Sequence, residues 1–157
     1  MGTAEISKVK LDTRIYSGIR QLSVFLDGRQ KTLDGLLKVL HTNKISIVAF
    51  SSQETRDYLV LRIVSNYSEN LKNLLLASSI SFAENNVLAV EFFHGDDVFK
   101  VVGAISAYEI KIHYMYPMLV KYNNKIGMIM RVEDVDLASK AVHSIGLSTI
   151  SQEDIDR

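Results

Sequence analysis

The sequence predicts an α+β protein made of two copies of one βαββαβ unit in tandem. The first observation is an internal repeat at a fixed offset of 65 residues, the distance from Leu33 to Val98. The second is that each half has the same order of segments: an apolar strand, a loop containing Gly, a helix with apolar residues spaced i, i+3, i+4 and i+7, and another strand. The matching positions are Leu33, Leu36, Leu37 and Leu40 with Val98, Val101, Val102 and Ile105, and Ile45 and Ile47 with Ile110 and Ile112.

The first unit is predicted to span residues 20–84. A strand over residues 20–26 ends at the turn residues Asp27 and Gly28, and a helix follows over residues 33–42 with Thr32 as its N-cap. The rest of the unit is an antiparallel pair of strands, a helix and a last strand. These segments are the strands 45–51 and 58–64, the helix around residues 71–75, and the strand 80–82.

The second unit is predicted to span residues 87–155, after a polar interruption at residues 84–86. Its helix runs over residues 98–108 with Asp97 as its N-cap, and a hairpin turn contains Asn123 and Asn124, which tolerate positive φ. Its strands lie over residues 87–92, 110–116, 126–132 and 147–150, and its last helix contains Ala138, Ala141 and Val142. Residues 1–19 stand outside the repeat as an N-terminal extension.

The order βαββαβ is the ferredoxin-like arrangement, in which two helices cover one face of a four-stranded antiparallel sheet. Two such units in one chain leave sheet edges that proteins usually pair or cover. We therefore expect two ferredoxin-like units with paired sheets and with the helices on one side.

The composition excludes several classes of function. Of the 157 residues, 47% are hydrophobic and 23% are charged, which is typical of a globular protein. Lys plus Arg and Asp plus Glu both number 18, so the chain carries no net charge to attract a nucleic acid. It contains no Cys for disulfides or thiolate metal sites, and no stretch approaches the roughly 20 apolar residues of a membrane span. We expect a cytoplasmic protein without nucleic-acid or membrane partners, cofactor or bound metal.

The two strand-to-helix loops, residues 27–32 and 94–97, are the best candidates for a binding site. A helix N-terminus presents unpaired N–H groups and a positive dipole to a carboxylate. Asp96 and Asp97 have the pattern of a metal-binding or an acid–base pair, but a role for Asp97 as an N-cap is favoured, because no third metal ligand is identifiable and His94 is the only nearby imidazole. The four His residues lack ligand spacing, so no catalytic residue is assigned.

Two other patterns concern the strands. Tyr114 and Tyr116 alternate with Met115 and therefore share one face, which favours sheet packing or contact between the units over ligand stacking. Arg62 and Arg131 lie among apolar strand residues, and we expect them on the exposed face of the sheet, where they could form interface ion pairs.

An ordered series of stretches resembles the tandem ACT-domain proteins over about residues 20–155. It comprises RQLSVFLDGRQKTLDGLLKVL and VLAVEFFHGDDVFKVVGAI, each leading to an Ile-x-Ile strand, then KIHYMYP, LRIV, MRVEDVD and the C-terminal ISQEDI. The resemblance implies a non-catalytic regulatory module whose sheets associate side by side. It also implies that a small ligand, an amino acid, binds at an interface between ACT-like units. The exposed edges of a four-stranded unit predict at least a homodimer, or internal pairing of the two units along sheet edges or helices.

The resemblance places the ligand between the first strand-to-helix loop and the start of the second strand. The residues it marks in this chain are Gln30, Lys31, Thr32, Leu33 and Ser46 in the first unit, and Gly95, Asp96, Asp97, Val98 and His113 in the second. The family's loop reads Asp-x-Pro-Gly-x-Leu, and here Gln30 and Lys31 replace Pro-Gly. The second loop is one residue shorter than the family pattern and keeps only Gly95.

Of the two loops, we expect the first to receive a ligand carboxylate. Lys31 adds a positive charge to the dipole and to the N–H groups of Thr32 and Leu33, and Ser46 could complete the site. Asp96 and Asp97 would repel the same anion.

Two other functions stay open. One is a ligand-independent dimerisation scaffold with a degenerate pocket. The other is a small ferredoxin-like enzyme, for which Arg29 lies in a loop without the glycines of a phosphate cradle.

Overall fold

The computed structural model describes residues 18–157, so the predicted extension 1–19 lies almost entirely outside the described residues. Seven strands and five helices form there. The strands are β1 (Ile19–Leu26), β2 (Ile47–Glu54), β3 (Leu59–Ser65), β4 (Phe82–Phe92), β5 (Ile112–Pro117), β6 (Ile126–Val132) and β7 (Ser148–Thr149). The helices are α1 (Gln30–Thr42), α2 (Ser68–Ala77), α3 (Asp97–Ala107), α4 (Val135–Ser144) and α5 (Gln152–Asp156).

The predicted fold class is confirmed: two ferredoxin-like units form one sheet in the order β2-β3-β1-β4-β6-β5, with β7 also paired to β4. The paired strands of this sheet all run antiparallel to one another. The N-terminal half of β4 pairs with β1 as the last strand of the first unit, and its C-terminal half pairs with β6 and β7 as the first strand of the second. One strand therefore belongs to both units.

The polar interruption predicted at residues 84–86 does not exist, because β4 runs through it without a break. The polar side chains of this stretch have partners: Glu84 accepts a hydrogen bond from Lys72 of α2 at 3.2 Å, and Asn85 accepts one from Ser23 of β1 at 2.8 Å. Polarity here marks contacts across the sheet and not a linker.

Successive side chains of β4 point to opposite faces of the sheet, and this alternation is unbroken along the whole strand. Phe82 packs in the core under the helices of the first unit, and Leu88, Val90 and Phe92 pack in the core under the helices of the second. The helices of both units consequently cover the same face of the sheet, as the sequence predicted.

The other face of the sheet is enclosed by the sheet itself. The edge strands β2 and β5 meet where Ala49 forms a bridge with Met118, and Leu119 donates its N–H to the Val48 carbonyl at 2.8 Å. A core drawn from both units fills the enclosed space. Its buried members are Ile19, Val48, Ala49, Val64, Val87, Ala89, Tyr116, Met118, Ile129, Ile150 and Ile155. The units are thus joined through a common core as well as a common strand.

Two helices begin earlier than predicted. Helix α1 begins at Gln30 with Arg29 as its N-cap and no side-chain cap, so Thr32 is its third residue and not the N-cap. Helix α3 begins at Asp97 with Asp96 at the N-cap position, so the assignment of Asp97 as N-cap is also wrong. The hairpin prediction is confirmed, since Asn123 and Asn124 have φ of 51° and 60°.

Candidate functional site

An ion pair between Asp27 and Arg29 fixes the conformation of the first strand-to-helix loop. The Arg29 guanidinium donates to the Asp27 carboxylate from Nε at 2.9 Å and from Nη2 at 2.7 Å, and the Arg29 N–H donates to Asp27 at 3.0 Å. These hydrogen bonds from Arg29 lower the pKa of Asp27 to about 2. Gly28 has a φ of 83°, a left-handed conformation that glycine adopts without strain.

The N-terminus of α1 offers different donors from those predicted. The N–H groups of Thr32 and Leu33 already donate to the Arg29 carbonyl, at 3.1 and 3.3 Å. Those of Gln30 and Lys31 have no protein acceptor among residues 18–157, and the first turn of α1 contains no acidic residue. An anion approaching this helix would therefore meet the N–H groups of Gln30 and Lys31.

The second loop is closed by Asp97. This side chain is 2% exposed, and its carboxylate accepts N–H groups from Phe93 at 2.8 Å and His94 at 3.3 Å. Burial by itself would raise the pKa of Asp97, but the two N–H donors and the nearby His94 and Lys100 outweigh it, and the pKa is lowered. The N–H of Val98 donates to the Gly95 carbonyl at 3.1 Å, so the loop is a self-satisfied turn.

The structure does not bring the loops together with Ser46 and His113. Leu26, which leads into the first loop, pairs with Leu59, whereas Ser46 precedes Ile47 at the other end of β2. His113 likewise lies at the start of β5, away from the second loop, where its Nε2 lies 2.7 Å from the Glu133 carboxylate. Within one unit, the two halves of the predicted site stand at opposite ends of the sheet.

A buried polar network joins the two units on the enclosed face of the sheet. Gln21 of β1 is completely buried; its Nε2 donates to the Tyr114 hydroxyl and its Oε1 accepts from the Tyr116 hydroxyl, both at 2.6 Å. The two tyrosine rings stack with centroids 6.3 Å apart, and burial, then the neighbouring Tyr114, raises the pKa of Tyr116. Contact between units, the favoured role for these tyrosines, is confirmed.

Arg62 and Arg131 are part-buried and not on an exposed face as predicted, because each lies against residues of the other unit. The Arg62 guanidinium lies 3.9 Å from the centroid of the Tyr114 ring and donates to Gln53 at 2.9 Å. Arg131 donates to the Asn86 carbonyl at 3.1 Å, beyond the point where β6 stops pairing with β4. Within residues 18–157 neither Arg forms the predicted ion pair. Arg62 instead contacts an aromatic ring of the other unit, and Arg131 donates to a backbone carbonyl.

The C-terminal segment is a contact that the sequence reasoning missed. After β7, helix α5 crosses to the first unit, where Gln152 accepts the Arg20 N–H at 2.8 Å and Asp156 accepts the Tyr67 N–H at 2.8 Å. Ile155 is 1% exposed in the core between the units. The capping box at Ser151 and Asp154 is the signal that could have revealed this helix.

The architecture defines a class: paired ferredoxin-like units that share a strand and present two strand-to-helix loops at opposite ends of it. A family profile described as an ACT domain pair matches residues 17–157. The chain belongs to this family, which confirms the predicted resemblance. No curated protein sequence matches the chain significantly.

Solved structures share this fold. A protein of Bacteroides thetaiotaomicron superposes with a TM-score of 0.80 at 21% identity, over 91% of this chain and 99% of the other. The ligand-free regulatory subunit of aspartate kinase from Thermus thermophilus gives 0.56 at 12% identity, covering 82% and 92% of the two chains. A structure of aspartokinase alpha and beta subunits gives 0.52 at 11% identity, covering 80% and 90%. At these identities the likeness shows the fold alone.

No helix within residues 18–157 is long and apolar enough to cross a membrane.

Proposed function

We propose that the chain is a non-catalytic regulatory module that binds a small ligand, an amino acid, at an interface between ACT-like units. The family supports a module of this kind, and one of the solved structures that share its fold is named a regulatory subunit. The observation that carries the proposal is the open N-terminus of α1, which presents N–H groups without a protein acceptor among residues 18–157.

Charge favours the first loop over the second for the carboxylate of the ligand. Lys31 is exposed in the first turn of α1, where its ammonium adds to the helix dipole. Helix α3 of the second unit carries the ionised Asp97 in its first turn, and the exposed Asp96 lies beside it. Two carboxylates there would repel a third. Gly95 and Val98 are also less available to a ligand, because the Val98 N–H already donates to the Gly95 carbonyl.

A second chain is needed to complete a site at the first loop. The loop follows the Leu26 end of β1, whereas the second unit lies beyond the other end, where Ile19 pairs with Val87. An interface at this loop must come from another copy of the chain, and we infer a homodimer. In that dimer a second copy could bring its own Ser46 or His113 to the loop that the same residues cannot reach within one unit.

Calorimetric titration tests the assignment with a matched pair of variants. Lys31→Ala should weaken binding of an amino acid by about tenfold, the value of one charge-assisted contact. Lys38→Ala is the control, because Lys38 lies on the same helix but pairs with Asp34 at 2.9 Å. Equal affinity in the wild type and Lys31→Ala would refute the role of the first loop.

A ligand-independent dimerisation scaffold is the second candidate, and the closed loops favour it. Asp27 with Arg29 in one loop and Asp97 in the other satisfy donors that a ligand would otherwise use. A thermal-shift screen against the standard amino acids separates the two functions, since a ligand that binds the folded state must raise the unfolding temperature. If no amino acid raises the unfolding temperature and the protein is still a dimer, the scaffold function is favoured.

A further inference from the structure

Two arginines flank one tyrosine on the enclosed face of the sheet, where the two units meet. Arg62 belongs to the first unit, and Tyr114 and Arg131 belong to the second. The guanidinium carbon of Arg62 lies 3.9 Å from the centroid of the Tyr114 ring. Tyr114 and Arg131 are directly paired across β5 and β6, so their side chains leave the sheet side by side on the same face. We call these three residues and their polar neighbours Gln21 and Asn85 the arginine cluster.

Neither guanidinium of the cluster is neutralised by a carboxylate among residues 18–157. Arg62 donates from Nη1 to the Gln53 side chain, and Arg131 donates from Nη1 to the Asn86 carbonyl, so both acceptors are neutral. The Nε of Arg62 is buried and has no acceptor in the described part of the chain. A buried donor without an acceptor costs free energy, and a bound anion would offset that cost.

The neutral side chains of the cluster also have donors without acceptors, whereas their acceptor oxygens are occupied. Gln21 Oε1 accepts from Tyr116, Asn85 Oδ1 accepts from Ser23, and the Tyr114 oxygen accepts from Gln21. The hydroxyl hydrogen of Tyr114 and the Nδ2 hydrogens of Asn85 have no acceptor within residues 18–157. The cluster therefore combines positive charge with unused N–H and O–H donors, which is the chemistry of an anion site.

Solvent reaches the cluster between the edge strands. Beyond the bridge from Ala49 to Met118, the described residues of β2 and β5 form no further bridge with each other, so the enclosed face opens there. Arg62, Tyr114 and Arg131 lie on this open side, and each is part-buried. A small anion can reach their donors without unfolding either unit.

We propose that the arginine cluster binds the phosphate group of a small molecule. A phosphate group carries about two negative charges at pH 7 and presents three strong acceptor oxygens. A carboxylate carries one charge and two oxygens, so it would leave one of the two arginines without a charged partner. Because Arg62 and Arg131 belong to different units, the bound phosphate strengthens the contact between them. The cluster shares no residue with either strand-to-helix loop, so this proposal does not depend on the proposed function.

The test titrates the full chain, labelled with nitrogen-15, with inorganic phosphate and follows the NMR signals. We expect phosphate to shift the Nε–H signal of Arg62 and the backbone amide signals of Arg62 and Arg131. It should also raise the unfolding temperature, because it binds the folded state. Sodium chloride at the same ionic strength controls for screening, and sodium acetate should cause much smaller shifts.

A second titration with glycerol phosphate identifies the source of the phosphate group. Tighter binding of this monoester supports a site for a phosphorylated small molecule. Tighter binding of inorganic phosphate supports a site for the free ion.

Two variants test the arginines separately. Arg62→Gln and Arg131→Gln each remove one positive charge, and each should weaken phosphate binding by about tenfold or more, as expected for hydrogen bonds to a charged group. Arg20→Gln is the matched control, because Arg20 is 50% exposed and already pairs with Glu69 at 2.9 Å. Urea denaturation without phosphate shows whether each variant folds, and the wild-type shifts test the site even where a variant does not.

The outcomes separate this site from the first loop. Shifts at Gln30 and Lys31 alone would place the anion at the first loop and overturn the proposal. It would also be overturned if phosphate shifted Arg62 and Arg131 no more than chloride does, or if both folded variants kept the wild-type affinity. Equal affinity for acetate and phosphate would overturn the assignment to a phosphate group.

Discussion

The network around Gln21 makes a prediction about how the two units hold together. Gln21→Leu keeps a side chain of similar size and removes both hydrogen-bonding atoms. Tyr116 is 6% exposed, and among the described residues its hydroxyl bonds only to Gln21, so the substitution leaves a buried donor unpaired. That loss costs about 1–3 kcal/mol in the free energy of unfolding. The Tyr114 hydroxyl is less enclosed and adds little, because water can replace the lost partner.

Tyr116→Phe should cost a similar amount for the complementary reason. It leaves Gln21 Oε1 without its donor in a residue that is completely buried. The double variant replaces both partners with apolar groups, so its cost should be smaller than the sum of the two single costs. We expect a coupling energy of about 1–2 kcal/mol, within the range for residues in direct contact.

Urea denaturation of the wild type, both single variants and the double variant measures this coupling. Tyr108→Phe is the control, because Tyr108 is 48% exposed and should change stability by less than about 0.5 kcal/mol. Additive single costs would refute the idea that Gln21 and Tyr116 depend on each other, and a more stable Gln21→Leu would show that the network opposes folding.

Three other properties of the protein can be measured against the structure. The pKa of Asp97 is lowered in the folded state, so its ionised carboxylate stabilises the fold above its unfolded pKa of about 3.9, and this contribution is lost as pH falls through the folded value. Asp97→Asn should therefore lower the urea midpoint at neutral pH, and the difference from the wild type should shrink below about pH 4. Ile155→Ala should cost about 2–4 kcal/mol in urea denaturation, because the side chain is 1% exposed, whereas Ile145→Ala, at 38% exposed, should cost far less. Light scattering should give twice the mass of one chain, and a monomer at all concentrations would contradict the proposed homodimer.

Much of the fold could be predicted because its pattern is local. Helical spacing marked Leu36 and Leu40 of α1, and the same spacing marked Val101 and Ile105 of α3; all four are buried. The start of α1 was missed because no side chain caps it, so the sequence carries no signal at Arg29.

The contacts between the units could not be predicted because they depend on a face covered by distant sequence. In β1, Gln21 alternates with apolar residues and has the pattern of a solvent-facing position. It is buried only because Tyr114 and Tyr116 of the second unit cover it. Arg62 was misplaced for the same reason, since a single strand does not reveal what packs against its second face.

The shared strand β4 fixes which face of the sheet each unit covers. Because successive side chains point to opposite faces, inserting one residue between Val87 and Leu88 would leave the first unit in phase and turn every later side chain of the strand over. Leu88 would then point away from the helices of the second unit, and the side chains that form its core would lie on the wrong face of the sheet. A chain with this strand can lengthen at its hairpins, whereas an odd number of residues inserted between the two halves of β4 would turn the second unit over.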